Sequence, residues 1–356
     1  MATPAQRTNT WTLDEWYAQT VAGTTGGYGG AVELWTWGRN DQGYLGDNSK
    51  TNRSSPIQVP GIWTSGKAAG NYPSAVAIKS DGTLWTWGDN DLGNLGHNAP
   101  QPSDLSSPTQ VGTETTWNNV TVGNAFMFSK KTDGTLWCWG SNQNGALGLN
   151  QPYSPGASTI ALSSPTQVGT DTTWATVAHN GTSGAAIKTN GTLWTWGYNE
   201  DSTGQSGQNN QTNYSSPKQV GTDTTWSSIS GSGSGRFRAA IKTDGTLWTW
   251  GRNNYGQLGA GDSGNASSAT ARSSPLQIGT DTTWWQVRVG NSVCHAVKTD
   301  GTLWSWGHGS GGAMGTNTPD NMDYSSPTQV GTDTNWKTTE YGFGQSSSST
   351  FILRSS

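Results

Sequence analysis

The chain has 356 residues, of which only 12% are charged, and it carries 50 glycines, 21 tryptophans and a net charge of −4. A small negative net charge provides no attraction to nucleic acid or to an anionic membrane, so neither is an expected partner. The chain has no apolar run as long as a membrane span (about 18 residues) and no basic, apolar signal region at its amino terminus, so we expect neither membrane insertion nor signal-peptide export.

Residues 1–33 form an N-terminal segment that holds only fragments of the pattern repeated through residues 34–356. From Leu34 onward the motif Leu-Trp-x-Trp-Gly occurs six times, and each copy is followed by Gly-x-Leu-Gly or a variant, a variable loop and Ser-Ser-Pro. The copies lie 50 to 57 residues apart and begin at Leu34, Leu84, Leu136, Leu193, Leu247 and Leu303. Such regular spacing predicts tandem structural units.

Each unit contains four predicted strands, labelled A to D in chain order. Strand A follows a lone tryptophan such as Trp226, strand B contains Ala-Ile-Lys, strand C is Leu-Trp-x-Trp, and strand D contains Ser-Ser-Pro. An Asp-Gly or Asn-Gly pair between B and C predicts a two-residue type I′ turn. Proline has no amide hydrogen to donate, so strand D is expected at the outer edge of its sheet. A four-stranded unit of this length is typical of a β-propeller blade.

The tryptophans of strand C are the predicted contacts between blades. In an extended Leu-Trp-x-Trp segment both tryptophans point to one face, and the leucine and the small residue point to the other. Each large ring can bury a wide apolar surface against a neighbouring blade. These structural tryptophans are Trp35, Trp37, Trp85, Trp87, Trp137, Trp139, Trp194, Trp196, Trp248, Trp250, Trp304 and Trp306.

The repeat Gly-Thr-Leu-Trp-Thr-Trp-Gly-x-Asn-x-x-Gly-x-Leu-Gly, followed by Ser-x-Pro, resembles that of the regulator of chromosome condensation (RCC1-like) family over about residues 34 to 354. The resemblance implies an all-β, closed propeller of four-stranded antiparallel blades, with amino- and carboxy-terminal strands sharing one blade. It is a poor guide to function, because the family includes a nucleotide exchange factor, a secreted β-lactamase inhibitor and many interaction modules.

The sequence leaves two blade counts open. Members of the family usually have seven blades, and seven are favoured here because Trp16 with Thr20-Val21-Ala22 parallels Trp174 with Thr176-Val177-Ala178, which makes the N-terminal segment a degenerate part of a first blade. The alternative joins the strands after Trp336 directly to the first C and D strands. That arrangement closes six blades and leaves the N-terminal segment as an extension.

Residue types that carry catalysis or bind metals form no recognisable site in the sequence. The four histidines fall in four different repeats without ligand spacing, and they are His97, His179, His295 and His308. Carboxylates such as Asp41 and Asp91 lie in predicted turns, where Asp and Asn are favoured for local hydrogen bonds. Lysines recur at one position of strand B and acidic residues recur nearby, which predicts solvated, charge-balanced rims. We therefore expect no enzymatic activity, no metal and no cofactor.

The loops that differ between repeats are the expected recognition elements, because a repeated scaffold fixes the strands and leaves its loops free to vary. The loops after Trp-Gly carry tyrosine and arginine, which are frequent at binding hot spots. The candidate contact residues of these loops are Arg39, Tyr44, Tyr198, Arg252, Tyr255 and His308.

The sequence favours a protein-binding or structural scaffold. Its polar composition, rich in glycine and tryptophan, is similar to that of bacteriophage virion proteins, which predicts a tail, fibre or capsid-associated component in a virion, or else a cytoplasmic protein. One alternative is a glycan-binding propeller in which Tyr198 and Tyr255 stack on sugar rings. The other is a regulator that promotes guanine-nucleotide exchange on a small GTPase.

Overall fold

The computed structural model describes residues 32–68, 74–98, 103–151, 161–199, 203–231, 235–263, 270–317, 322–337, 345–346, 349–350 and 353–354. These residues form a β-propeller of antiparallel four-stranded blades. Two 3-10 turns interrupt the loops, at Gln143–Gly145 and Ser310–Gly312. No helix of the described residues combines the length and apolarity that a bilayer crossing requires.

Five blades are complete among the described residues. Blade 1 consists of the second half of β2 (Arg53–Ala68) with β3 (Ser74–Lys79), β4 (Leu84–Gly88) and β5 (Leu105–Gln110). The others are blade 2, with β6 (Trp117–Val122), β7 (Phe126–Lys131), β8 (Leu136–Ser141) and β9 (Ala161–Gln167); blade 3, with β10 (Trp174–Asn180), β11 (Ser183–Lys188), β12 (Leu193–Gly197) and β13 (Tyr214–Gln219); blade 4, with β14 (Trp226–Gly231), β15 (Phe237–Lys242), β16 (Leu247–Gly251) and β17 (Arg272–Gln277); and blade 5, with β18 (Trp284–Val289), β19 (Val293–Lys298), β20 (Leu303–Gly307) and β21 (Tyr324–Gln329).

The remaining strands are parts of blades. At the amino-terminal side β1 (Val32–Gly38) pairs with the first half of β2, and at the carboxy-terminal side β22 (Trp336–Lys337) pairs with β25 (Leu353–Arg354). A short hairpin joins β23 (Gln345–Ser346) to β24 (Ser349–Thr350). The favoured count of seven is therefore corrected to five complete blades in the described part of the chain. The two terminal pairs lie in separate sheets, and the strands predicted within residues 1–31 lie outside the described residues.

The strand order within each complete blade follows the sequence, and strand D is at the outer edge as predicted. In blades 2 to 5 the first strand contacts the first two strands of the preceding blade. The strand that begins each blade is therefore the one that joins it to its neighbour.

The crossing into blade 1 is shorter than the others. Trp63 follows Pro56 by seven residues, whereas nine separate proline from tryptophan in the later repeats. With two residues fewer, the chain makes no separate turn, and β2 runs as one strand of 16 residues through the D strand of one unit and the A strand of the next. Gly61 has φ +134° at this junction, a backbone angle that residues other than glycine rarely adopt.

The hairpin between strands B and C differs from the predicted type I′ turn. In blade 1 the amide of Gly82 donates to the carbonyl of Lys79, and only the glycine, not Asp81, has a positive φ. The connection is therefore a type I turn closed by a left-handed glycine. The Asp81 carboxylate selects it, because that carboxylate accepts hydrogen bonds from both the amide (3.0 Å) and the hydroxyl (2.6 Å) of Thr83.

Candidate functional site

The second tryptophan of each C strand locks one blade to the preceding one. Trp196 is fully buried, and its indole Nε1 donates to the carbonyl of Ala146 in the turn of the preceding blade (2.9 Å). The ring lies so close to Gly148 that a Cβ built there would stand 2.9 Å from Nε1. The same arrangement recurs at Trp87, Trp139, Trp250 and Trp306, with indole-to-carbonyl distances of 2.9 to 3.1 Å.

The first tryptophan of each C strand belongs to a different cluster. In blade 3, Trp194 is half-buried and donates from Nε1 to Thr192 Oγ1 (2.9 Å), while Trp174 meets its ring edge-on at 6.2 Å. Lys188 Nζ lies 3.9 Å from the ring centre and pairs with the Asp171 carboxylate. Partial burial alone would raise the pKa of Asp171, but hydrogen bonds from Lys188 and Thr173 outweigh it and lower the pKa to about 2.

Similar clusters occur in the other complete blades and form what we term the hairpin rim, made of the B–C turns and the D-to-A crossings. The lysines that pair with acids there were expected to be solvated, but their side chains are only 6 to 14% exposed because they lie on the tryptophan rings. The paired residues are Lys131 with Glu114, Lys188 with Asp171, Lys242 with Asp223 and Lys298 with Asp281. The same lysine–acid pair recurs in blades 2 to 5, so this rim offers little to distinguish one of these blades from the next.

The opposite end of the strands carries the loops that differ between blades. We term it the Trp-Gly rim: the loops from each Leu-Trp-x-Trp-Gly strand to the following D strand, together with the A–B turns beside them. Backbone hydrogen bonds fix these loops on the turns, for example from the Tyr198 amide to the Thr182 carbonyl (3.2 Å) and from the His308 amide to the Ser292 carbonyl (2.8 Å). All six candidate contact residues lie on this rim.

The structure brings two of the six candidates together across a blade boundary. Tyr255 of blade 4 stacks on His308 of blade 5, with ring centres 4.3 Å apart. His308 Nδ1 lies 2.7 Å from an Asp323 carboxylate oxygen that also accepts a hydrogen bond from the Gly309 amide. Met322 beside this group is 49% exposed. The result is a fixed aromatic and apolar patch open to solvent.

The other four candidates stand apart from this patch. The exposed Arg39 donates from Nε to the Asp41 carboxylate (2.9 Å), and Tyr44 is half-buried in the same loop. Tyr198 has the Arg236 guanidinium 5.5 Å from its ring centre. Arg252 is half-buried in the fourth blade. The candidates are therefore spread along one rim and do not converge on a single cleft.

One acidic cluster on the Trp-Gly rim was not predicted from the repeat pattern. Asp89, Asp91 and Asp104 bring carboxylate oxygens within 4.8 Å of one another. Burial, and more weakly the neighbouring carboxylates, raises the pKa of Asp89. Lys50 Nζ lies 3.1 Å from an Asp104 carboxylate oxygen, and the Gln42 side-chain amide donates to the Asp89 carboxylate (2.8 Å). Protein groups therefore already compensate part of the negative charge of the cluster. Asp104 is distant in sequence from the other two, which is why spacing did not reveal the group.

The reactive side chains of the core are buried in protonation states that do not favour catalysis. Burial raises the pKa of the free thiols Cys138 and Cys294. Burial also lowers the pKa of His295 to about 4. Buried neutral thiols are poor nucleophiles, because the thiolate is the reactive form.

One buried charge stands out. Arg238 on β15 is fully buried, and burial lowers its pKa to about 9. Its Nη2 donates to the Ser183 carbonyl (3.2 Å) and hydroxyl (2.8 Å), whereas Nε and Nη1 have no hydrogen-bond partner among the described residues. The residue at the same register in blade 2 is Met127.

Known proteins resemble the chain over most of its length. A family model described as RCC1-like domain matches residues 19–350. The ultraviolet-B receptor UVR8 of Arabidopsis thaliana is 27% identical over 305 residues, which are 83% of this chain and 65% of UVR8, so the chain spans less than two thirds of that relative.

Solved structures give the same picture of the fold. Prp20p of Saccharomyces cerevisiae, described with its binding properties to Gsp1p and histones, has a TM-score of 0.69 at 21% identity and covers 85% of this chain and 74% of its own. The complex of Kap60 bound to yeast RCC1 (Prp20) gives a TM-score of 0.68 at 22% identity, over 85% of this chain and 72% of the matched chain. At these identities the similarity shows the fold alone.

Proposed function

The chain belongs to the RCC1-like domain family, and from that premise we propose that it is a non-enzymatic protein-binding scaffold that recognises its partner through the Trp-Gly rim. One observation carries the proposal. The hairpin rim repeats the same lysine–acid pair in blades 2 to 5, whereas the Trp-Gly rim presents different side chains in each blade. A surface that differs from blade to blade can select one partner in one orientation.

The patch of Tyr255, His308 and Met322 is the proposed centre of this surface. Aromatic residues held rigidly by neighbours lose little conformational entropy on binding and are frequent at interface hot spots. His308 and Asp323 hold the ring of Tyr255 in place before any partner arrives. The description of Prp20p as binding Gsp1p and histones supports a protein as the ligand class, and nothing more specific is carried over to this chain.

The experiment is affinity capture from extracts of the source organism, with the purified chain as bait and mass spectrometry of the retained proteins. A variant carrying Tyr255→Ala and His308→Ala tests the patch. The matched control is Trp285→Ala, which removes an aromatic ring that is 47% exposed and adjoins Trp284 at the hairpin end of β18. We expect the double variant to lose the partner and the control to retain it. Loss in the control alone would place recognition on the hairpin rim.

A bacteriophage virion as the source of the partner stays a prediction, and the identity of the captured proteins tests it. Capture of viral structural proteins would support it, and their consistent absence from the retained fraction would contradict it. Regulation of a small GTPase also stays a prediction, and an exchange assay without rate enhancement would exclude it.

Glycan binding has less support from the geometry than protein binding. Its two proposed stacking residues each have one ring face occupied, Tyr255 by His308 and Tyr198 by Arg236. A sugar would have to stack on the opposite faces. A glycan array with no bound ligand would remove this alternative.

A further inference from the structure

A cavity of about 270 Å³ lies between blades 2 and 3, on the side of the outer strands β9 and β13. Its walls are mostly apolar and include Leu149, Val168, Trp174, Trp194 and Pro217. Trp174 and Trp194 meet edge-on, with ring centres 6.2 Å apart. An apolar cavity of about 150 Å³ holds one benzene ring, so this cavity has room for a ring with a substituent.

Leu149 distinguishes this cavity from the next blade boundary along the chain. It follows the last glycine of the turn after strand C, and Gln208 takes the same position in blade 3. The Gln208 amide donates to the Lys218 carbonyl (3.0 Å) and to Thr195 Oγ1 (3.1 Å), so it is fixed on its own blade. Leucine has no hydrogen-bonding side-chain group, so in blade 2 the same position adds apolar surface to the cavity.

Two residues of the lining carry a polar group that has no hydrogen-bond partner within the described part of the chain. One is Trp174, whose buried indole Nε1 is unpaired, as in the lone tryptophans of blades 2 to 5, whereas Trp63 of blade 1 donates to a backbone carbonyl (3.2 Å). The other is the side-chain amide of Gln167. In blade 3 the corresponding Gln219 donates to the Gly221 carbonyl (3.1 Å). The cavity therefore combines an apolar wall with hydrogen-bonding groups that the protein leaves unused.

The charged residues of the lining, Lys188 and Asp171, pair with each other. Lys188 Nζ also lies 4.8 Å from the ring centre of Trp174 and 3.9 Å from that of Trp194. A charged ligand would leave water for a site in which both charges already have partners, and burying an unpaired charge is costly. The cavity therefore favours a neutral ligand.

We propose that this cavity is a binding site for a small neutral molecule that carries one aromatic ring and one hydrogen-bonding group such as a carboxamide. The ring packs against Trp174, Trp194 and Pro217, because aromatic rings attract one another in offset and edge-on arrangements. The polar group pairs with the Gln167 amide, which can both donate and accept. An apolar lining with few polar groups is typical of small-molecule sites. The site shares no residue with the Trp-Gly rim patch, so it does not depend on the partner proposed above.

Three probes of the same shape test the preference for a neutral ligand: benzamide, the anion benzoate and the cation benzamidinium. Binding to the purified full chain is measured by saturation-transfer NMR and titration. We expect benzamide to bind with a dissociation constant on the order of millimolar, as is usual for a fragment of this size, and both charged analogues to bind more weakly. Cyclohexanecarboxamide, which keeps the amide without the aromatic ring, should also bind more weakly. Tighter binding of a charged analogue, or no binding of benzamide, would overturn the proposal.

Two independent variants locate the site. Ser216→Trp adds a ring to the cavity wall on β13, and its matched control is Ser274→Trp, at the same position of β17 in the next blade. Leu149→Gln gives the cavity the residue that the next boundary carries. We expect Ser216→Trp and Leu149→Gln to lose benzamide binding and Ser274→Trp to retain it, with thermal unfolding showing which variants are folded. Undiminished binding in the folded cavity variants, or an equal loss in the control, would contradict the assignment of the ligand to this cavity.

Discussion

The substitution Gly148→Ala tests whether close glycine–tryptophan contact locks neighbouring blades. Gly148 has φ +74°, and an added Cβ would lie 2.9 Å from Trp196 Nε1 and 3.0 Å from Cδ1, closer than side chains tolerate. The left-handed backbone alone costs an alanine about 1–2 kcal/mol. Displacing the packed ring adds about 1–3 kcal/mol, as in other overpacked cores.

The control Gly169→Ala separates the two contributions. Gly169 has a similar φ of +62°, but nothing lies within 4 Å of its Cβ position. We therefore expect Gly169→Ala to show the backbone cost only, and Gly148→Ala to be less stable than this control by about 1–3 kcal/mol. Urea unfolding followed by tryptophan fluorescence measures both. Equal destabilisation by the two substitutions would refute the argument that the tryptophan contact carries the interface.

Three further predictions concern hydrogen bonds and charge, each measured by unfolding of the purified variant. Trp196→Phe leaves the buried Ala146 carbonyl without its donor, which lies 2.9 Å away in the native chain. The loss of this hydrogen bond alone should lower the free energy of unfolding by about 1–3 kcal/mol, more than Trp194→Phe does on the partly exposed face. The pKa of Asp171 is about 2 in the folded chain and 3.8 ordinarily, so its ion pair stabilises the fold above about pH 4. The free energy of unfolding should therefore fall as the pH drops from about 4 to about 2, where the carboxylate takes up its proton. Arg238→Met should leave the free energy of unfolding unchanged or raise it by about 1–4 kcal/mol, since it removes a buried, poorly compensated cation.

Each of the three has a result that would contradict it. Equal losses in the two phenylalanine variants would mean that the buried indole bond adds nothing. For the pH effect, Asp171→Asn is the control, and its deficit relative to the native chain should shrink as the pH approaches 2. A deficit that stays constant would assign the stability to packing. A loss of several kcal/mol in the Arg238 variant would show that the guanidinium is fully compensated.

The strand content of the fold could be predicted from the repeat because each strand has its own local signal. The proline of Ser-Ser-Pro excludes strand D from the sheet interior, and the alternation in Leu-Trp-x-Trp fixes which side chains share a face. The predicted turn type was wrong because the hydrogen bonds between Asp81 and Thr83, which lies outside the Asp-Gly pair, select the conformation. The conformational preference of the Asp-Gly pair does not include hydrogen bonds to the residue that follows it, here Thr83.

Contacts between residues on different strands or loops could not be predicted from the repeat, because they depend on how the segments fold together. The strand B lysines are buried by tryptophans of another strand. The approach of Asp104 to Asp89 depends on how one loop folds back. The rim shared by the six candidate residues follows from their common position in the repeat. The stacking of Tyr255 on His308 depends on the spacing of two neighbouring blades, which no local pattern encodes.

The most direct test of the central claim is hydrogen–deuterium exchange of the chain with and without its captured partner. We predict slower exchange on binding in loops of the Trp-Gly rim, above all in residues 252–259 and 308–315, with the hairpin turns at residues 243–246 and 299–302 unchanged. Protection confined to those hairpin turns, with the Trp-Gly loops exchanging as in the free chain, would contradict the assignment of the binding face.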